Sequence, residues 1–180
     1  MKLLVNICRV IVGVLFIFSG LLKAMDPQGL AYKMQEFFEV WATNASLANI
    51  MHWLTDYAFP FAIIMITLEI IVGVAMLLGI WKNFFTWLIL LLIIFFGFLT
   101  GYAALSGKIS TCGCFGDCIP LTSMQSFIKD LILFVLVLIL FFGKKYITPL
   151  FTPAINILLL IISIFLVLFY QCIYKNLHNP

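Results

Sequence analysis

The sequence predicts an all-α integral membrane protein with five transmembrane helices and one amphipathic helix outside the bilayer. Of its 180 residues, 65% are apolar and 9% are charged, and the mean hydropathy is +1.23. Soluble domains carry about 25% charged residues. Five apolar stretches approach the roughly 20 residues that a spanning helix needs; they cover residues 3–24, 59–80, 84–105, 124–142 and 149–171. The net charge of +3 is spread over membrane-flanking positions and gives no sign of nucleic-acid binding, so membrane lipids are the expected partners and no nucleic acid is expected.

The first stretch is predicted to stay in the protein as a transmembrane helix. Lys2 precedes an apolar run, as it would in a cleaved signal peptide, but Arg9 interrupts that run. No clean Ala-x-Ala cleavage site follows it. The N-terminal segment therefore counts as the first of the five spans.

The long polar connection, residues 25–57, is predicted to contain the amphipathic helix. Asp26 and Pro27 are typical of a helix N-cap followed by proline at the first helical position. Apolar residues then recur at helical spacing, namely Leu30, Met34, Phe37, Phe38 and Trp41. Lys33, Glu36 and Glu39 lie mainly on the other side. This helix is expected to lie on the membrane surface or to cap the bundle.

The basic residues predict the orientation in the membrane. The short turns at residues 81–83 and 143–145 carry lysine without any acid, and Lys2 lies on the same side. The opposite side carries as many lysines, mixed with acids, so the count of Lys and Arg is nearly tied until Arg9 is included. We expect a bacterial inner membrane protein with a cytoplasmic amino terminus. Its carboxyl terminus would then be extracytoplasmic.

Three cysteines, Cys112, Cys114 and Cys118, occupy a glycine-rich polar break between the third and fourth stretches. The orientation places this break on the extracytoplasmic, oxidising side, where thiols are normally paired. A Cys112–Cys114 disulfide would close a small, strained ring that is easy to reduce. Cys118 could then act as the resolving thiol. Thr122 and Gln125 are spaced as a capping box that opens the fourth membrane helix.

The same cysteines allow other interpretations. Cys118 could instead form a structural disulfide with Cys112 or Cys114, and Cys172 at the outer end of the last stretch allows further pairings. A zinc site of three cysteines with His52 is disfavoured, because Cys-x-Cys departs from the usual ligand spacing. Cys8 lies in an apolar helix and is expected to be a buried small hydrophobe.

Charged residues inside the spans are costly in lipid and mark candidate functional positions. They are Arg9, Lys23, Glu69, Lys129 and Asp130. At 1.5 Å per residue, Glu69 is expected about 16 Å deep in the second helix, and Lys129 and Asp130 about 10 Å below the outer end of the fourth. With Lys23 near the outer end of the first helix, they could form a polar cluster beneath the cysteine break, either functional or a structural ion pair. Because adjacent residues on a helix point about 100° apart, Lys129 and Asp130 are expected to have different partners.

An ordered set of motifs resembles the DoxX/MauE-like membrane proteins. Residues 9–23 read RVIVGVLFIFSGLLK, followed by Asp26-Pro27, and they resemble the family's opening helix. Leu68-Glu69-Ile70 is similar to part of its second helix. The run CGCFG at residues 112–116, with Lys129-Asp130 further on, resembles the MauE branch.

The resemblance implies a four-helix membrane core over residues 1–143, with residues 144–180 forming an additional span and a short tail. It implies a membrane thiol–disulfide redox protein or maturation factor, in which Cys112 and Cys114 exchange with a thioredoxin-like or disulfide-rich extracytoplasmic partner. A role in methylamine metabolism is implied only by the likeness to MauE, and a quinone cofactor only by the likeness to DoxX relatives. Two alternatives remain: a non-catalytic assembly subunit with a stapled loop, and a small-solute carrier that uses the intramembrane charges.

Overall fold

The computed structural model describes residues 1–43, 48–106 and 122–178, the last four of these by their backbone only. Seven α-helices and one 3₁₀ helix follow one another in these ranges. They are α1 (Lys2–Met25), α2 (Pro27–Ala42), α3 (Ala48–Asp56), α4 (Ala58–Leu78), α5 (Lys82–Ser106), α6 (Ser123–Gly143), the 3₁₀ helix Lys144–Tyr146 and α7 (Pro153–His178).

Five of these helices, α1, α4, α5, α6 and α7, are long and apolar enough to cross a membrane. This confirms the predicted all-α membrane fold, and the chain is a multi-pass membrane protein. The predicted bounds of α1, α4, α5 and α6 agree with the observed bounds to within about two residues. The bounds of α7 differ more: it begins at Pro153, four residues after the predicted start.

The helices α1, α4, α5 and α6 form a ring in which each helix packs against two neighbours, and α7 packs on the outside against α4. In the most apolar window of α7 only 17% of residues are buried, against 33–56% in the four ring helices. The closest approach joins α1 and α4, where a Cβ added to Gly73 would lie 2.9 Å from the carbonyl oxygen of Gly13. Glycine allows two helix backbones to approach this closely in a membrane.

We call the end of the ring where α1 and α5 end and α4 and α6 begin the cap end, because α2 and α3 lie there. The Asp26 carboxylate accepts a hydrogen bond from the Gly29 amide at 3.0 Å, and Pro27 takes the first helical position. The predicted cap is therefore confirmed. The apolar face of α2 is buried through Leu30, Ala31, Met34, Phe37 and Phe38. This face packs against α4, so α2 caps the bundle.

The helix α3 is missing from the sequence-based expectation. It has nine residues and fully buries none of them, although Met51 and Leu54, three positions apart, pack partly against the core. The connection between α6 and α7 is also longer than the predicted three-residue turn. After the 3₁₀ helix the chain crosses to α4, where the Leu150 amide donates a hydrogen bond to the Leu78 carbonyl at 3.0 Å.

Candidate functional site

A buried ion pair joins α1 to α4 in the interior of the ring. Lys23, near the end of α1, places its ammonium 2.6 Å from a carboxylate oxygen of Glu69, midway along α4. The two side chains are 3% and 5% exposed. The same ammonium lies 4.3 Å from the centre of the Phe96 ring of α5, within the range of a cation–π contact. Because an unpaired charge at this depth would be strongly unfavourable, each of the two charges is stabilised by the other.

A second ion pair lies on α6. Lys129 Nζ is 2.9 Å from Asp130 Oδ1, and Asp130 is buried while Lys129 is a quarter exposed. The expectation that these adjacent residues have different partners is therefore wrong. The backbone does point them apart, but the long lysine side chain is flexible enough to curve back to its neighbour. The other carboxylate oxygen of Asp130 lies 3.0 Å from the hydroxyl of Thr100 on α5.

These four charged residues, which we call the charge cluster, surround one cavity. It is lined by all four ring helices, with Lys23, Glu69, Lys129 and Asp130 beside Ser19 and apolar residues. The volume open to water is about 20 Å³. One water molecule needs about 10–15 Å³ on this measure, whereas cofactor-sized pockets measure about 300–1,000 Å³. The volume of this cavity therefore matches a single water molecule.

Arg9 lies apart from the charge cluster, at the opposite end of the ring. Its guanidinium donates to the carbonyl oxygens of Met76 and Thr148, each at 2.7 Å, and to that of Leu77. Met76 and Leu77 are in the last turn of α4, where carbonyls have no partner within the helix and the helix dipole favours a cation. Arg9 therefore closes the end of α4 and binds the chain that leads to α7.

Sequence reasoning missed two residues of this region. Thr100 holds Asp130, and Ser126 lies one helical turn nearer the cap end than Asp130, on the same buried face of α6. The available signal was weak: single hydroxyl residues in an apolar helix are common, because they can donate to their own helix backbone. Thr100 also has such a bond available, to the Phe96 carbonyl at 3.0 Å.

The predicted redox cysteines Cys112, Cys114 and Cys118 lie outside the described residues. The described chain on either side ends at Ser106, the last residue of α5, and resumes at Thr122, the N-cap of α6. The predicted capping box is confirmed. The Gln125 amide donates to the Thr122 hydroxyl at 3.3 Å, and the Thr122 amide donates to the Gln125 side-chain oxygen at 3.1 Å.

The two remaining cysteines form no disulfide within the part of the chain that the structure describes. Cys8 is buried in α1, as predicted, and Cys172 is exposed on α7. His52, considered as a metal ligand, is exposed on α3. Over residues 1–43, 48–106 and 122–174, no three His, Cys, Asp or Glu side chains come together as a metal-binding group.

Comparison with known proteins identifies relatives of most of the chain. The family model described as "Methylamine utilisation protein MauE" matches residues 1–143, which end at the last residue of α6. Protein TlpB of Flavobacterium psychrophilum is 33% identical over 140 residues, which are 74% of this chain and 35% of that protein. The chain thus spans about a third of the length of this relative. No solved structure matches it.

Proposed function

Since the chain belongs to the MauE family of methylamine utilisation proteins, we propose that it is a membrane thiol–disulfide redox protein that matures an extracytoplasmic partner. The observation that carries the proposal is the position of the three cysteines in the chain. They fall between Ser106 and Thr122, and both of these residues lie at the cap end of the ring. The segment is thus attached at both of its ends above the charge cluster.

The proposed reaction is a complete exchange between two sulfur pairs. A thiolate of a partner dithiol attacks the Cys112–Cys114 disulfide, so that a mixed disulfide forms and one cysteine leaves as a thiolate. The second partner thiol then breaks the mixed disulfide. The partner gains one disulfide and is oxidised by two electrons, and Cys112 and Cys114 are reduced to thiols. Two protons leave the partner and two arrive on the cysteines, so that a single exchange starting from the oxidised protein balances without another oxidant.

The sequence position of Cys118 supports a nucleophilic role, because Cys118 precedes Thr122, the N-cap of α6, by four residues. The N-terminus of a helix carries a partial positive charge, and a nearby thiol is then more readily ionised. We assign Cys118 the role of a resolving thiol, which attacks a mixed disulfide that has stalled. In that case Cys118→Ser slows the release of trapped partner without preventing its capture.

The basic residues support an orientation with the amino terminus in the cytoplasm of a bacterial cell. Lys82 begins α5, and Lys144 and Lys145 form the 3₁₀ helix after α6. All three lie at the end of the ring opposite the cap end, where the amino terminus also lies. A membrane-impermeant thiol reagent should label a Glu39→Cys variant in intact cells, because Glu39 is exposed on α2 at the cap end. Labelling only after cell lysis would indicate the opposite orientation, with the cap end in the cytoplasm.

The redox proposal is tested by the reduction potential of the cysteines in membranes. The protein is equilibrated with glutathione buffers of stepped potential, alkylated and analysed by mass spectrometry. We expect the midpoint potential of the Cys112–Cys114 pair to lie above about −300 mV. Structural disulfides usually have reduction potentials below this value. Cys8→Ser and Cys172→Ser serve as matched controls, because neither residue has a disulfide partner among the described residues; neither should move the midpoint.

The exchange itself is measured with a reduced two-cysteine peptide whose fluorescence changes when it is oxidised. The oxidised wild-type protein should oxidise one peptide per molecule, and Cys112→Ser or Cys114→Ser should abolish this. The redox proposal fails if the cysteines remain oxidised in buffers poised below about −300 mV and the peptide is not oxidised. In that case the protein acts as a stapled, non-catalytic assembly subunit.

A further inference from the structure

We propose that the end of the ring opposite the cap end binds the headgroups of anionic phospholipids through Lys2, Lys82, Lys144 and Lys145. We call these four residues the lysine cluster. This inference goes beyond the proposed function and does not depend on it, because none of the four lysines lines the cavity of the charge cluster or belongs to the cysteine segment. Three features of the molecule carry it: the charges at this end, the contacts that bring the lysines together, and the depth at which they lie.

The lysine cluster has no acidic residue at its own end of the ring. The chain has seven acidic residues, namely Asp26, Glu36, Glu39, Asp56, Glu69, Asp117 and Asp130. In the described residues the first four lie at the cap end, and Glu69 and Asp130 lie inside the ring. The ion pairs formed there use other cations: Lys23, Lys33 and Lys129. The positive charge of the lysine cluster is therefore not balanced by any carboxylate in the described part of the chain.

The fold brings these lysines together although they are far apart in the sequence. The 3₁₀ helix Lys144–Tyr146 contacts α1, α5 and α6. Lys82, the first residue of α5, donates from its ammonium to the carbonyl oxygen of Ile147 at 3.4 Å, directly after the 3₁₀ helix. On the other side, the last residue of α6 packs against Val5 in the first turn of α1, and α1 begins at Lys2. The starts of α1 and α5 thus flank the 3₁₀ helix, so that the four charges act on one region.

The ammonium groups lie at the depth of the lipid headgroups. The Lys144 ammonium is 5.0 Å from the centre of the Phe141 ring, in the last turn of α6, and the Lys145 ammonium is 5.1 Å from that of Tyr146. Both distances are within the range of a cation–π contact. Trp81, the residue before α5, is 67% exposed. Tryptophan and tyrosine concentrate at the membrane–water interface. These contacts hold the charges beside the ends of the spans, where lipid phosphates lie.

Anionic phospholipids match this arrangement in charge and in position. An ammonium group has three N–H donors, and the contact with Ile147 uses one donor of Lys82. The other two can bind phosphate oxygens. Basic residues next to a membrane helix attract anionic lipids, whereas the phosphate of a zwitterionic lipid is balanced by its own cation. At the cap end Lys33 is paired with Glu36 at 3.0 Å, so we expect no such preference there.

The tryptophans allow the two ends of the ring to be tested separately. Trp81 and Trp87 lie just before α5 and in its second turn, beside the lysine cluster, whereas Trp41 and Trp53 lie on α2 and α3 at the cap end. The full chain is placed in nanodiscs of phosphatidylcholine that contain brominated phosphatidylglycerol or, in parallel, brominated phosphatidylcholine. Brominated acyl chains quench the tryptophans that they contact. A variant with Trp41→Phe and Trp53→Phe reports on the lysine cluster, and one with Trp81→Phe and Trp87→Phe reports on the cap end.

We expect phosphatidylglycerol to be preferred over phosphatidylcholine at the lysine cluster and neither lipid to be preferred at the cap end. Combining Lys144→Gln with Lys145→Gln should lower the preference roughly fivefold or more, because one basic residue near an anionic surface contributes about 1 kcal/mol, or about fivefold. Lys33→Gln is the matched control and should leave the preference unchanged. Raising the ionic strength from about 0.01 to 1 M should weaken it, since the screening length falls from about 30 to 3 Å.

Equal quenching by the two lipids beside the lysine cluster would overturn the inference. An unchanged preference in the variant with Lys144→Gln and Lys145→Gln would overturn it as well. Lys2→Gln, at an exposed residue, repeats the test without altering the 3₁₀ helix and should also lower the preference. Sodium phosphate and sodium chloride of equal ionic strength should weaken the preference equally; stronger displacement by phosphate would mean that the lysines bind free phosphate, against the inference. Because no sulfur chemistry is involved, each of these results leaves the redox proposal untouched.

Discussion

Removal of either member of the Lys23–Glu69 pair should destabilise the protein far more than removal of both. The two charges are 2.6 Å apart and almost fully buried. Glu69→Gln leaves the Lys23 ammonium without a counter-ion, and Lys23→Met does the same to the Glu69 carboxylate. The combined variant leaves no charge behind, because methionine fills the volume of lysine and glutamine is neutral.

The magnitude follows from the burial. Breaking a buried pair by removing one partner costs about 3–5 kcal/mol, whereas replacing both partners is often close to neutral. For a chain of this size, 1 kcal/mol shifts the unfolding midpoint by about 2–4 °C. Each single substitution should therefore lower the midpoint by about 6–20 °C, and the combined variant should recover most of this loss. The exposed pair Lys33–Glu36 provides the control: its side chains are 22% and 38% exposed, so that Glu36→Gln should change stability by about 1 kcal/mol at most.

The assay is thermal unfolding of purified protein in a mild detergent, followed by the fluorescence of the four tryptophans. The double-mutant cycle gives the coupling free energy directly. If Glu69→Gln is no more destabilising than Glu36→Gln, the buried pair does not hold α1 to α4. Additive losses in the combined variant would likewise refute the reasoning, because they would mean that the charges are stabilised independently.

Substitutions at Arg9, Gly79 and Thr122, with Gly97 as a control, test the ends of the helices by the same thermal measurement. Arg9→Leu leaves three carbonyls without their donor and should lower the free energy of unfolding by about 3 kcal/mol. Arg9→Lys should recover only part of this stability. Wild-type stability in Arg9→Leu would mean that Arg9 does not hold the end of α4. Gly79→Ala should destabilise by about 1–3 kcal/mol, because φ is +71° and the new Cβ would lie 2.7 Å from the Thr148 carbonyl. In Gly97→Ala the new Cβ has no atom within 4 Å, so this substitution should stabilise α5 by about 0.5–1 kcal/mol. Equal effects at the two glycines would show that the space around each glycine does not determine the change in stability. Thr122→Ala removes the N-cap of α6 and should cost about 1 kcal/mol, and no loss would mean that the cap is dispensable.

Composition and local pattern were sufficient for the membrane helices and for both predicted caps. A spanning helix is encoded by its own length and hydropathy, and the caps at Asp26 and Thr122 depend on residues three or fewer positions away. The short helix α3 was not predicted, since only about two turns of the helix carry its apolar residues, of which Met51 and Leu54 pack partly against the core.

The charges show the limit of the sequence more clearly. Their cost in lipid identified Lys23, Glu69 and Asp130 as partnered residues, but the partners depend on which helices are neighbours and on side-chain reach. Lys129 bonds to the residue beside it, against the helical geometry of the backbone. Arg9 binds backbone carbonyls up to 139 positions away, and a carbonyl leaves no mark in the sequence.

The contact between α1 and α6 has a consequence for how the protein is made. Gly143, the last residue of α6, packs against Val5 at the start of α1, so that the ring closes only after the ribosome has delivered almost all of α6. Until then the face of α1 that packs against α6 is exposed to lipid or to an insertase. Since α7 is synthesised later and joins from outside, a nascent chain released after residue 143 should already contain the closed ring. Arg9 would then be the last group of the ring to be satisfied, when Thr148 emerges.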